Sequence, residues 1–189
     1  MTEPTPVFIR AVPWVAQRAA NARRLKLMTG GRIVWDTTHS GYENFIYALR
    51  YARHGDAIHL EDDIVLTGGW RGKVQAVIAD HSAEMIQFYS RRGDDLTVGS
   101  RYQPGRGFLW AVCFYVPARL AEPLLAYVDG WDGRAADPTG LDVAVGAFLA
   151  DRHERYWLSV PSLVQHCAWP SVIRPGRSTR RQSATFQRD

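Results

Sequence analysis

An apolar run, Ile58-His59-Leu60, leads directly into three carboxylates, Glu61, Asp62 and Asp63, with no basic residue nearby in sequence. In an extended chain Glu61 and Asp63 point to the same side, because strand side chains alternate with period two. At the carboxyl edge of a parallel sheet, where open α/β folds place their ligands, such a pair repels itself unless a positive charge lies between. A hard divalent cation carrying a diphosphate is the natural occupant. The plainer alternative is a solvated acidic turn. Two weaker signals lie downstream. His166 ends the segment Val160-Pro161-Ser162-Leu163-Val164-Gln165-His166, and a lone histidine near a strand end is more often structural than a ligand. Asp142 follows Gly140-Leu141 at a helix start, where capping and the helix dipole explain an acid as readily as a catalytic base does.

The elements that must position these residues alternate between strand and helix. Val7 to Ala11 is a β-like run ending at Val12-Pro13, and Trp14 to Met28 is an arginine-rich helix closed by Gly30-Gly31. Arg32 to Trp35 is a second strand ending at Asp36, and Tyr42 to Arg53 a helix with Phe45, Ile46, Leu49 and Ala52 on one face. Ala57 to Leu60 is the third strand, followed after the acidic triplet by a helix around Trp70 to Ile78 and a strand from Met85 to Tyr89. This rhythm predicts an α/β fold: a mainly parallel, Rossmann-like sheet flanked by helices, with right-handed crossovers. The second half loses the rhythm. Arg91 to Arg106 reads as loop or irregular hairpin, Phe108 to Val116 as β-like, and Arg119 to Val128 as helix. A helix from Leu141 to Arg152 and a strand from Tyr156 to Val160 follow, with loop and tail from Pro161 onward.

The 189 residues fit one domain with a full core, and 46% apolar with 22% charged side chains is ordinary for a globular protein. Residues 1–173 are expected to form it, with 1–90 as a nucleotide-binding half, 91–173 as an acceptor-side half, and 174–189 as an arginine-rich tail. Two cysteines, Cys113 and Cys167, argue against a disulfide framework or a cysteine-based zinc cluster. Apolar stretches are too short for a membrane span, and the N-terminus lacks the pattern of a secretory signal, so a cytoplasmic protein is expected. Lysine occurs only at Lys26 and Lys73, which leaves 21 of the 23 basic side chains as arginine. Arginine suits phosphate through its planar, permanently charged fork. Acidic residues are mixed among the basic ones along most of the chain, which weakens a nucleic-acid reading.

Taken together, these segments resemble the GT-A fold glycosyltransferases, and particularly the compact versions encoded by bacteriophages of actinobacteria. The first strand with its Pro13 turn, Ile33-Val34-Trp35-Asp36, Leu60-Glu61-Asp62-Asp63, the Gly107 to Pro117 segment and Pro161-Ser162-Leu163-Val164-Gln165-His166 carry the resemblance, in order. It implies that Glu61-Asp62-Asp63 stands as the DXD motif, holding Mn²⁺ or Mg²⁺ against the diphosphate of a nucleotide-sugar. Asp63 would ligate the metal, Glu61 would face the ribose or a metal-bound water, and His166 would complete the metal shell. Arg10 and Asp36 fall where such enzymes hold base and ribose, and Asp142 matches the acid that deprotonates the acceptor hydroxyl. Arg177, Arg180 and Arg181 would fold over the diphosphate, or else belong to a solvated tail. The departure is Glu61, where the motif ordinarily begins with aspartate. The donor implied is a UDP-sugar first, and the acceptor a protein or glycan hydroxyl, such as one on a phage capsid or tail protein.

Two rival classes remain. A metal-dependent phosphoesterase would also use clustered carboxylates and a histidine, but it usually needs ligands for two ions. A basic nucleic-acid-binding module would explain the isoelectric point near 9.3, and its affinity would fall steeply with salt and ignore Mn²⁺.

Overall fold

The computed structural model describes residues 3–135, 140–172 and 181–188. Seven strands form the central sheet: β1 (Val7–Ala11), β2 (Arg32–Trp35), β3 (Ala57–Glu61), β5 (Met85–Gln87), β6 (Arg101–Pro104), β7 (Cys113–Val116) and β8 (Arg155–Leu158). Their order is β2-β1-β3-β7-β5-β8-β6. β1 pairs in parallel with both β2 and β3, and β5 in parallel with β8, while β7 and β6 run against their neighbours. Five of the seven strands therefore point the same way, and the sheet is mainly parallel in direction, as the βα rhythm predicts. The two reversed strands belong to the half where that rhythm fails.

Helices cover both faces. On one, α1 (Ala16–Thr29) and α3 (Trp70–Asp80) press Ala22, Leu25, Trp70, Val74 and Ile78 against Ile9, Ile58, Leu60 and Ile86. On the other, α2 (Gly41–Ala52), α5 (Ala118–Asp129) and α6 (Leu141–Asp151) bury Phe45, Leu49, Leu124, Val145 and Phe148 against Phe114, Val116 and Leu158. α2 begins with a Ser-x-x-Glu cap: the Ser40 hydroxyl accepts from the Glu43 N–H at 3.2 Å.

Three short elements depart from the expected pattern. Arg91 to Arg106 contains α4 (Asp95–Val98) and edge strand β6. Phe108 to Val116 is strand only from Cys113 onward. Past Pro161 the chain is not all loop, because β9 (Val164–His166) pairs antiparallel with β4 (Ile64–Leu66), placing His166 opposite Ile64. The end of the chain also docks. Gln165 uses its side-chain amide on the Ser183 peptide, accepting from its N–H at 2.8 Å and donating to its carbonyl at 3.1 Å. Ser183 and Thr185 are buried against the Ser162 hydroxyl.

His59 tests how the core treats a polar group. It is fully buried, stacked on Phe114 at 5.1 Å and bordered by Phe8 and Phe45, and neither ring nitrogen has a partner. Burial, assisted by the nearby Arg10 charge, lowers its pKa to about 3. The unfolded chain therefore takes up a proton below the ordinary value of 6.5 that the fold refuses, and stability falls as pH drops through the window from 6.5 to about 3. Each pH unit in that window is worth up to about 1.4 kcal/mol. Acid unfolding of His59→Phe should lack this component, and an unchanged acid-stability profile would contradict it.

Candidate functional site

The acidic triplet leaves β3 at the carboxyl end of the parallel strands, and the loop after it is held from three sides. Alternation turns Asp62 away from Glu61 and Asp63. One Asp62 oxygen accepts from the Arg18 guanidinium, at 2.7 Å from Nε, and the other accepts from the Val12 N–H at 2.8 Å. Asn21 donates to the Asp62 and Ile64 carbonyls at 2.6 and 2.8 Å, and the Cys167 N–H closes on the Asp63 carbonyl at 2.7 Å. Asp62, expected beside the nucleotide, thus works as the clamp that ties this loop to α1 and to the turn after β1. Burial alone would lower the pKa of Arg18, but Asp63 and Asp62 more than reverse this, so the guanidinium stays charged.

Beside the clamp, buried ligand atoms of Asp63 and His166 lack hydrogen-bond partners. Glu61, Asp63 and His166 each bring a ligand atom to within 4.8 Å of the others, the group with metal-binding spacing among the described residues. His166 Nδ1 lies 2.7 Å from the Cys167 carbonyl, so this nitrogen carries the proton and donates. Its Nε2 then presents a lone pair to Asp63 Oδ2 at 3.4 Å, and both Nε2 and Asp63 Oδ1 are buried without a hydrogen-bond partner. Burial lowers the pKa of His166 and favours this neutral form, although Asp63 pulls the other way. Two acceptors facing each other in a buried site repel, and a divalent cation satisfies both. Two carboxylates and an imidazole could hold a divalent cation, the carboxylates suiting hard ions and the imidazole borderline ones.

Burial, reinforced by Asp63 and Asp62 against the pull of Arg10 and Arg18, raises the Glu61 carboxyl to about 7. A raised pKa means that the folded protein keeps this proton up to near neutrality, so a cation must displace it. Mn²⁺ affinity should therefore weaken by up to about tenfold per pH unit below about 7 and level off above it. Calorimetric titration across that range reads the slope directly, and a flat profile would remove Glu61 from the ligand set.

The triad opens onto a cleft of about 1190 Å³, including its solvent-filled mouth. Arg10, Asp36, Glu61, Asp62, Asp63, Asp142, His166 and Arg181 all border it, so residues from the first strand to the last described segment converge here. Arg177 and Arg180 lie outside the described residues. Arg10 is buried under Phe45 and Phe114, with Nη2 3.4 Å from Glu61 Oε1 and a second bond to the Ala111 carbonyl. It supplies the positive charge among four carboxylates, Glu61, Asp62, Asp63 and Asp142. Asp36 caps the turn into α2 by accepting from the Thr38 N–H at 2.8 Å. Asp142 Oδ2 accepts from the Trp110 N–H at 2.9 Å and Oδ1 from the Val143 N–H at 3.1 Å. Trp110 sits at φ +60°, a conformation that a bulky residue rarely adopts. Upstream, Gly105 lies tight against α6, where a β-carbon would meet the Leu149 β-carbon at 2.6 Å.

Arg18, Asn21, Trp14 and His39 join the site without belonging to any of its sequence motifs. Trp14 and His39 stack at 3.9 Å and both border the cleft. Arg18 and Asn21 had a visible signal: both lie on the face of α1 that buries Ala22 and Leu25, where a core helix would carry apolar side chains.

No protein-family model and no curated sequence matches the chain. Among solved structures it is similar to the crystal structure of a glycosyltransferase involved in the glycosylation of the major capsid of PBCV-1. The identity is 9%, the TM-score 0.51, and the match covers 89% of this chain and 95% of that one. At that identity the likeness speaks for the fold, and it agrees with a GT-A-like α/β architecture over nearly the whole chain.

Proposed function

We propose that the cleft is the donor site of a metal-dependent glycosyltransferase, which moves a sugar from a nucleotide-sugar to an acceptor hydroxyl. The observation that carries this reading is the pair of unpartnered buried atoms, His166 Nε2 and Asp63 Oδ1, beside Glu61 at the carboxyl end of the parallel strands. The glycosyltransferase fold of the solved neighbour supports it. We take a UDP-sugar as the first donor to try, and a protein or glycan hydroxyl, on a phage virion protein for instance, as the acceptor. Glu61, Asp63 and His166 would hold Mn²⁺ or Mg²⁺, which would supply electrostatic stabilisation of the departing nucleoside diphosphate.

The chain's own residues do the rest. Arg10 and Asp36 border the side of the cleft where base and ribose would lie, and Arg181 offers charge to the diphosphate. In an inverting transfer the acceptor oxygen attacks the anomeric carbon, the bond from that carbon to the phosphate oxygen breaks, and the acceptor proton passes to the Asp142 carboxylate. Asp142 can do this while bound to Trp110, because a carboxylate accepts at several lone pairs. Asp142→Asn keeps an oxygen for the Trp110 N–H but cannot take a proton. It should lower kcat by roughly 10²–10⁴-fold with little change in KM for the donor. The test is nucleoside diphosphate release from UDP-sugars in the presence of Mn²⁺ and acceptor, and a loss smaller than tenfold would remove Asp142 as the base.

A further inference from the structure

We propose that the end of the sheet opposite the cleft is a contact face for an anionic lipid bilayer, independent of the reaction assigned above. From Pro4 to Trp35 the chain contains no acidic residue, and of its six arginines and lysines Lys26 and Arg32 are exposed at this end, whereas Arg10 and Arg18 are buried at the cleft. α1 is built the wrong way round for a simple core helix. Its buried face holds Arg18 and Asn21, and its last turn leaves Leu27 86% and Met28 50% exposed beside the exposed Lys26. α1 and α2 pack on opposite faces of the edge strand β2, and both end where β2 begins. That brings Leu27 and Met28 to the same end as Arg32, Tyr51 and Arg53. Tyr51 is 54% exposed, and the Arg32 guanidinium lies 3.7 Å above its ring. Asp56, just before β3, accepts from the Ala118 N–H at 2.8 Å.

Aliphatic side chains projecting between cations, with an aromatic ring carrying an arginine, match the chemistry of a headgroup layer. The charges meet lipid phosphates while Leu27 and Met28 enter the acyl boundary. A nucleic acid would reward the same charges but would gain nothing from exposed leucine and methionine, so the bilayer is the occupant the residues favour. Because the cleft lies at the other end of the strands, a chain docked this way keeps its cleft mouth turned toward water.

Sedimentation of the full chain with vesicles tests this, using phosphatidylcholine alone or mixed with phosphatidylglycerol. Binding should require the anionic lipid and weaken with salt. Lys26→Gln/Arg32→Gln/Arg53→Gln should bind on the order of 100-fold more weakly, and Leu27→Gln/Met28→Gln roughly tenfold more weakly. These positions are exposed, so both variants should melt as the parent does. Arg152→Gln/Arg155→Gln, at the far edge of the sheet, should bind normally. No binding to anionic vesicles, equal losses in the Arg152/Arg155 variant, or tight binding of single-stranded DNA in place of vesicles would each overturn the proposal.

Discussion

Asp63→Ala is expected to abolish divalent-cation binding and to lower sugar transfer by roughly 10³-fold or more, the scale on which losing stabilisation of a leaving-group charge is felt. Asp63 has the most to lose of the triad. Its carboxylate faces His166 at 3.4 Å and Arg18 at 3.2 Å, and its Oδ1 is buried with no hydrogen-bond partner. Removing it leaves His166 Nε2 and Glu61 too few ligands to hold a hard cation. The fold should survive, because Arg18 keeps Asp62 as its hydrogen-bonded partner and the backbone carbonyl of residue 63 still accepts from the Cys167 N–H. Isothermal titration with Mn²⁺ checks the first half and nucleoside diphosphate release checks the second. Retained Mn²⁺ binding in a folded Asp63→Ala protein would separate the triad from the metal.

The second large effect falls on stability. Asp62→Ala should cost about 3–5 kcal/mol, because it leaves the Arg18 guanidinium buried with half of its counter-charge gone and the Val12 N–H without its acceptor. Arg18→Ala should lose a similar amount, since Asp62 is fully buried. The two losses should not add in the double variant, because each removes the same pair. Urea unfolding of the three proteins measures this. A double variant that loses the sum would show that each residue acts through other partners. Neighbouring positions thus carry different work: Asp62 secures the loop from within the fold, and Asp63 serves the cleft.

That division was legible in part. Period-two alternation already sets Asp62 on the opposite side from Glu61 and Asp63, but the partner it meets there, Arg18, is 44 residues away. The apolar run into the triplet places Glu61 and Asp63 at the strand end from sequence alone, and the helices near Trp70, Arg119 and Leu141 follow from local periodicity. The pairing of β4 with β9 does not. Each strand has three residues, too few to show a period, and the pairing joins segments about a hundred residues apart. The reversal of β7 and β6 depends on how their connections run across the sheet, which no local pattern states. His166 illustrates the difference best. As a lone histidine it carries little information, and only the β4–β9 ladder, which sets it opposite Ile64, brings its ring to Asp63.

The most direct test of the proposed donor site is thermal unfolding of the protein and of Asp63→Ala with UDP-, GDP- and dTDP-sugars, each with and without Mn²⁺. A ligand at about 100 times its Kd stabilises by roughly 2.7 kcal/mol, which is a readable shift in midpoint. The expected result is a shift with one nucleotide-sugar, UDP-linked first, that requires Mn²⁺ and disappears in Asp63→Ala. A shift that ignores Mn²⁺ or persists in Asp63→Ala, or no shift with any donor, would contradict it.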